Sequence, residues 1–121
     1  MKTKGISPKD FVVGLLKRSN CRVQMAACLS DATGIYAWGC NHAGPDGFGE
    51  CAEQHCLKKA NYKRIPKSTM WIAGRRNKSK NTVLARPCAA CWPLVRSCRY
   101  VIFRKKDGEW ETVDTSLVVG Y

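Results

Sequence analysis

Three cysteines in two short motifs constrain this chain more than any other feature. Cys51-Ala52-Glu53 follows a glycine-rich loop, and Pro87-Cys88-Ala89-Ala90-Cys91 comes later, with Cys88 37 residues beyond Cys51. Both motifs fall where the sequence predicts a helix to begin. A CxxC pair puts two thiolates on one turn, as zinc sites require. Cys51 adds a third ligand from a separate helix start. Three protein ligands rather than four mark a catalytic zinc, because the fourth position stays open for water. Helix N-termini suit the task, since their partial positive charge and free N–H groups stabilise thiolates.

The rest of the chain reads as alternating helices and strands. Ser7-Pro8-Lys9-Asp10 signals a helix start, with Ser7 as cap and Pro8 in the first position. That helix is predicted to reach Asn20. Arg22 to Leu29 and Ile35 to Gly39 read as a hairpin around the turn cluster Ser30–Gly34. Asn41 to Gly49 reads as an irregular loop. A helix is predicted over Glu50 to Tyr62 and a strand over Thr69 to Ala73. Arg75 to Arg86 reads as a basic connection. A further helix is predicted over Cys88 to Cys98, then strands Tyr100–Phe103 and Trp110–Val113 around an Asp-Gly turn. At 121 residues this is one domain, with residues 1–6 as a basic tail and 114–121 as a C-terminal tail.

Charge and cysteine usage narrow the setting. Between Lys58 and Lys106 stand fifteen Lys and Arg and no acid, within a net charge of +12. Such a span points to phosphate, although a solvated basic face is the plainer reading. The longest apolar run, Phe11 to Leu16, is six residues, far below a membrane span. It also lacks a secretory cleavage site, so a cytoplasmic protein is expected. Reducing cytosol disfavours disulfides, which leaves metal binding and buried thiols for the eight cysteines. Cys21, Cys28, Cys40, Cys56 and Cys98 read as small buried apolar residues.

Cys-Ala-Glu followed by Pro-Cys-x-x-Cys resembles the zinc-dependent cytidine and deoxycytidylate deaminase superfamily, whose signature is a His or Cys, x, Glu, then P-C-x-x-C. The resemblance spans about Arg22 to Val113. It implies an α/β fold in three α/β/α layers, with a five-stranded mixed sheet. The short turn before Trp110 implies an antiparallel C-terminal hairpin, as in the cytidine-deaminase branch. The stretch from Asn81 to Tyr100 more loosely resembles deaminase-like proteins of viruses and phages.

Carried over by the resemblance, Cys51, Cys88 and Cys91 bind Zn²⁺ and Glu53 shuttles protons. The Ala52 N–H holds the pyrimidine carbonyl. Asn41 contacts base or sugar, and His42 or Phe48 stacks on the base. One departure stands out. Three thiolates leave the site at net −1, and similar free-cytidine deaminases often place an Arg after Cys-Ala-Glu, where this chain has Gln54. Arg86 is the candidate compensator, as are hydrogen bonds to the sulfurs.

The implied reaction is hydrolytic deamination of cytosine to uracil. The basic span, with Arg75 and Arg76 as candidate phosphate contacts, favours single-stranded DNA or RNA. Free cytidine, deoxycytidine or a pyrimidine nucleotide is the alternative. A second alternative is a non-catalytic nucleic-acid-binding domain, its structural zinc held by the three cysteines and His55. No membrane partner is expected, and an exposed strand edge makes a homo-oligomer an expectation.

Overall fold

The computed structural model describes residues 6–43 and 49–117. Helix α1 spans Pro8–Leu15. Its cap is as predicted: the Asp10 N–H donates to Ser7 Oγ at 3.3 Å, and Pro8 opens the first turn. The helix is shorter than its periodicity implied. It passes into a 3-10 turn over Leu16–Arg18, and Ser19 is already extended.

Strands β1 (Val23–Asp31) and β2 (Gly34–Cys40) form the expected hairpin. Two short strands, β3 (His42–Ala43) and β4 (Gly49–Glu50), then pair antiparallel, so the segment read as an irregular loop begins and ends in a ladder. Gly49 permits that closeness, since a Cβ there would lie 2.6 Å from the His42 carbonyl oxygen. Helix α2 (Ala52–Lys59), strand β5 (Thr69–Arg76), the single turn α3 (Trp92–Val95) and strands β6 (Tyr100–Arg104) and β7 (Trp110–Asp114) complete the chain.

The main sheet has five strands in the order β2-β1-β5-β6-β7. Only β5 and β6 run parallel; the other neighbours are antiparallel, including the terminal β6–β7 hairpin. Strand alternation sorts the core onto two faces. Ala26, Cys28 and Ala73 point to the layer holding Val12 and Leu15 of α1 and Leu16 of the 3-10 turn that follows it. Ala27, Leu29, Met70 and Ile72 point to the opposite layer, where Ala52 and Cys56 of α2 meet Trp92 and Val95 of α3. The result is the expected three-layer α/β/α arrangement. Helices this short are unstable alone. Burying Val12, Leu15 and Leu16, at about 1.5–3 kcal/mol each, is what holds α1 in place.

Two helix predictions are corrected by local chemistry. Residues 88–91 form a turn rather than the start of a long helix, and α3 begins only at Trp92. Pro93 is the reason: it has no N–H for the Ala89 carbonyl, and its ring clashes there, so an α-helix cannot run through both. Helix α2 begins at Ala52 rather than Glu50, because Glu50 is held in β4. It ends before the extended Ala60 rather than at Tyr62.

Candidate active site

The sulfurs of Cys51, Cys88 and Cys91 converge within 4.8 Å of one another. Cys51 caps α2, while Cys91 caps α3 and is buried. Cys88 is exposed on the turn between them. That turn is closed by Cys91 N–H and Trp92 N–H, which donate to the Cys88 carbonyl at 2.9 and 3.1 Å. A tetrahedral zinc with bonds of ~2.3 Å sets its sulfurs roughly 3.8 Å apart, so this donor set has the type, number and spacing for one zinc ion. His55 does not join the group. Its Nδ1 lies 3.3 Å from the Cys40 nitrogen and 3.2 Å from the Cys40 oxygen.

The electrostatics of the thiols reflect their crowding. Burial pushes Cys91 far up, and the Glu53 charge adds to this. Burial also raises Cys51. On Cys88 burial works upward too, but hydrogen bonds from the Cys91 thiol and from the backbone N–H groups of Cys91 and Ala90 outweigh it, and the thiol sits below its ordinary value.

Beside the cysteines opens a cleft of about 360 Å³. Glu53 lines it, although its side chain is buried at 5% exposure. Burial raises the carboxyl above its ordinary value, against the opposing effect of a hydrogen bond from its own backbone. Ala52 and Arg86 also line the cleft, and Arg86 is solvent-exposed. Gln54 caps the helix instead of answering charge: its Oε1 accepts from the Cys51 N–H at 3.2 Å.

Other expected site residues divide. His42 lines the cleft, held between Glu50 (3.7 Å) and the His55 ring (5.2 Å between centroids). Asn41 lines it too, but its amide is committed to the fold. Oδ1 accepts from Ser19 Oγ at 2.6 Å and from the Met25 N–H at 2.9 Å, and Nδ2 donates to the Val23 carbonyl at 2.9 Å. Phe48 lies outside the described residues. Arg75 is tied to the buried Gln24 by a 2.7 Å hydrogen bond, while Arg76 reaches a separate surface pocket.

Three wall residues carry no motif: Cys21, Met25 and Glu50. Cys21 was expected to be buried and apolar; it is partly exposed in the cleft, and Cys40 is also only partly buried. Cys28, Cys56 and Cys98 are buried as expected, and all eight cysteines are free thiols. Burial pushes Cys28 and Cys98 up to about 12, which makes them inert packing groups.

No protein-family model matches the chain, and no curated protein sequence does. Solved structures do. A cytidine deaminase from Burkholderia pseudomallei superposes with a TM-score of 0.71 over 90% of this chain and 91% of that one, at 16% identity. A cytidine deaminase from Mycobacterium leprae superposes with a TM-score of 0.58 over 86% and 88%, at 15% identity. The fold is therefore that of cytidine deaminases. Among the described residues, no helix is long and apolar enough to cross a membrane.

Proposed function

We propose that the chain is a zinc-dependent hydrolase that converts cytosine to uracil with release of ammonia. The observation that carries this reading is the pairing of a three-cysteine cluster with a buried carboxylate, Glu53, on the same cleft of a cytidine-deaminase fold. Cys51, Cys88 and Cys91 would hold the metal, and zinc bound there would supply a Lewis acid that makes water nucleophilic near neutral pH.

The chain's own residues supply the rest. Glu53 takes a proton from the attacking water and delivers it to the ring nitrogen next to C4. Its burial keeps the carboxyl basic enough to accept and ready to release. The same carboxylate then takes the second proton from the new C4 hydroxyl and passes it to the departing amino group, so water and cytosine become uracil and ammonia. The Ala52 N–H, in the first turn of α2 and unpaired within the helix, donates to the pyrimidine carbonyl. His42 flanks the base from β3, and Arg86 offsets the negative charge of three thiolates.

The favoured substrate is a cytosine in single-stranded DNA or RNA, because a base must leave its stack to enter such a cleft and the chain is strongly cationic. A free nucleoside or nucleotide is the second reading. It is favoured by the chain's coverage of nearly the full length of two proteins named as cytidine deaminases.

The test is deamination of a pool of single-stranded DNA and RNA by zinc-loaded protein, read by sequencing, alongside free cytidine and deoxycytidylate. Glu53→Ala is the control and should keep zinc and fold. Cytosine-to-uracil changes absent from the control support the reading, and their distribution decides the substrate. Activity that survives in Glu53→Ala overturns it.

A further inference from the structure

A second pocket, of about 440 Å³, is lined by Asn20, Arg22, Arg76, Asn77, Lys78 and Ser79. Its walls are three cations and three neutral polar side chains. Among the described residues, the acids that form ion pairs engage Lys58, Arg64 and Arg99, Glu50 also lies near His42, and none engages Arg22, Arg76 or Lys78. All three cations are exposed.

The pocket is built by hydrogen bonds. The turn after β5 is closed by Arg76 N–H donating to the Asn81 carbonyl and Lys80 N–H to the Arg76 carbonyl, each at 2.9 Å. Asn77 joins this turn to the segment entering β1. Its N–H donates to the Arg22 carbonyl at 2.8 Å, and its Nδ2 to the Cys21 carbonyl at 3.2 Å. Cys21 lines the cleft, while its chain neighbours Asn20 and Arg22 line the pocket. Consecutive residues of one segment thus line the cleft and the pocket.

We infer that this pocket holds the phosphates flanking a cytosine seated in the cleft, and so selects a polynucleotide strand over a free nucleoside. The inference rests on the deamination reading and names its substrate class. Three uncompensated cations match successive phosphodiesters, one charge per nucleotide, better than a single monophosphate. The polar groups of Asn20, Asn77 and Ser79 add sequence-independent donors, the kind that position a backbone.

The test compares the zinc-loaded chain with Arg22→Gln/Arg76→Gln/Lys78→Gln. A matched control, Lys59→Gln/Lys63→Gln/Lys67→Gln, removes three cations at or before the start of β5, the opposite end of that strand. The probe is a fluorescent single strand of deoxyuridine, which carries the phosphates and no amino group to lose. Its affinity is followed by anisotropy as salt rises. Each phosphate contact contributes a slope of about 0.7 for single strands. The pocket variant should lose about 2 from the slope, so a fourfold rise in salt weakens wild type roughly twentyfold more than the variant. The control variant should keep the wild-type slope.

An unchanged slope in the pocket variant, or an equal loss in the control, overturns the inference. So does an equal loss of deoxyuridine monophosphate binding, which would make the pocket a monophosphate site. Deamination of free cytidine, measured in parallel, should be unchanged in the pocket variant. A chain that deaminates nothing but shows the slope difference keeps the phosphate site and loses the deamination reading. Activity on strands with no slope difference does the reverse.

Discussion

Gly74 faces Met25 across the β1–β5 pairing, and a Cβ at Gly74 would lie 2.5 Å from the Met25 sulfur and 2.9 Å from Val83 Cγ2. Met25 also lines the cleft. The missing side chain of β5 therefore sets how far a side chain of β1 stands back from the site. Gly74→Ala should cost about 1–3 kcal/mol through overpacking, softened by the flexibility of methionine. The displaced thioether should narrow the cleft, so KM should rise with zinc content unchanged. Parallel melts and kinetics check this; an unchanged KM would show that Met25 turns away from the cleft.

Asn41 serves the fold whatever it does for a substrate. Its amide joins the segment after α1 to the first residues of β1. Asn41→Ala should leave a Met25 N–H without its partner at the cost of about 1–3 kcal/mol. The midpoint in denaturant should fall even when no substrate is present. If only KM changes, the side chain acts on ligand alone.

Metal removal separates two of the three cluster cysteines. Cys88 is exposed and Cys91 fully buried. Both Cys88→Ala and Cys91→Ala should lose stoichiometric zinc and turnover. Cys91→Ala should also lower the stability of the metal-free protein, since it opens a cavity in the core. Saturating zinc at 100 times its dissociation constant should stabilise the wild type by about 2.7 kcal/mol. Melts with and without chelator check this, and a chelator-insensitive wild type would contradict a bound metal.

Acid stability should depend on Arg64. Its guanidinium grips Asp31 through Nε at 2.7 Å and Nη2 at 2.8 Å and stacks 3.9 Å over the Tyr36 ring. The hydrogen bond from Arg64 holds the Asp31 carboxyl well below the usual carboxylate range. A depressed acid contributes stability that is complete above its unfolded value, near pH 4, and is lost as pH falls toward the folded value. Arg64→Gln should therefore lower the melting temperature at neutral pH and flatten its decline below about pH 4. Arg64→Lys should recover only part of the effect, because a lysine lacks the planar fork. An Arg64→Gln protein with the wild-type acid profile would show that the pair carries no linkage.

The elements with a strong local signal are legible in the sequence itself. Ser7 and Pro8 start α1, the turn around Gly34 closes the first hairpin, and Gly108, at φ 88°, supports the turn into β7. Helix ends were less legible, because they depended on single competing contacts: Pro93 against the carbonyl of residue 89, and the β3–β4 ladder against the first turn of α2.

The candidate site divides in the same way. Cys51, Glu53, Cys88 and Cys91 were readable because metal chemistry demands particular residue types at short spacings, and a short spacing is written in the chain itself. Cys21, Met25 and Glu50 were not, since nothing local marks them. They reach the cleft because β1 pairs with β5 over a long sequence separation, and because the short β3–β4 ladder folds Glu50 back beside His42. The sequence alone also showed a cationic half but not which cations share a pocket. Arg75 and Arg76 are neighbours in the chain, yet strand alternation sends one to the buried Gln24 and the other to Arg22 and Lys78. Residue chemistry was therefore decided by the sequence. Residue company was decided by strand register, which is settled only when the whole sheet buries its two faces.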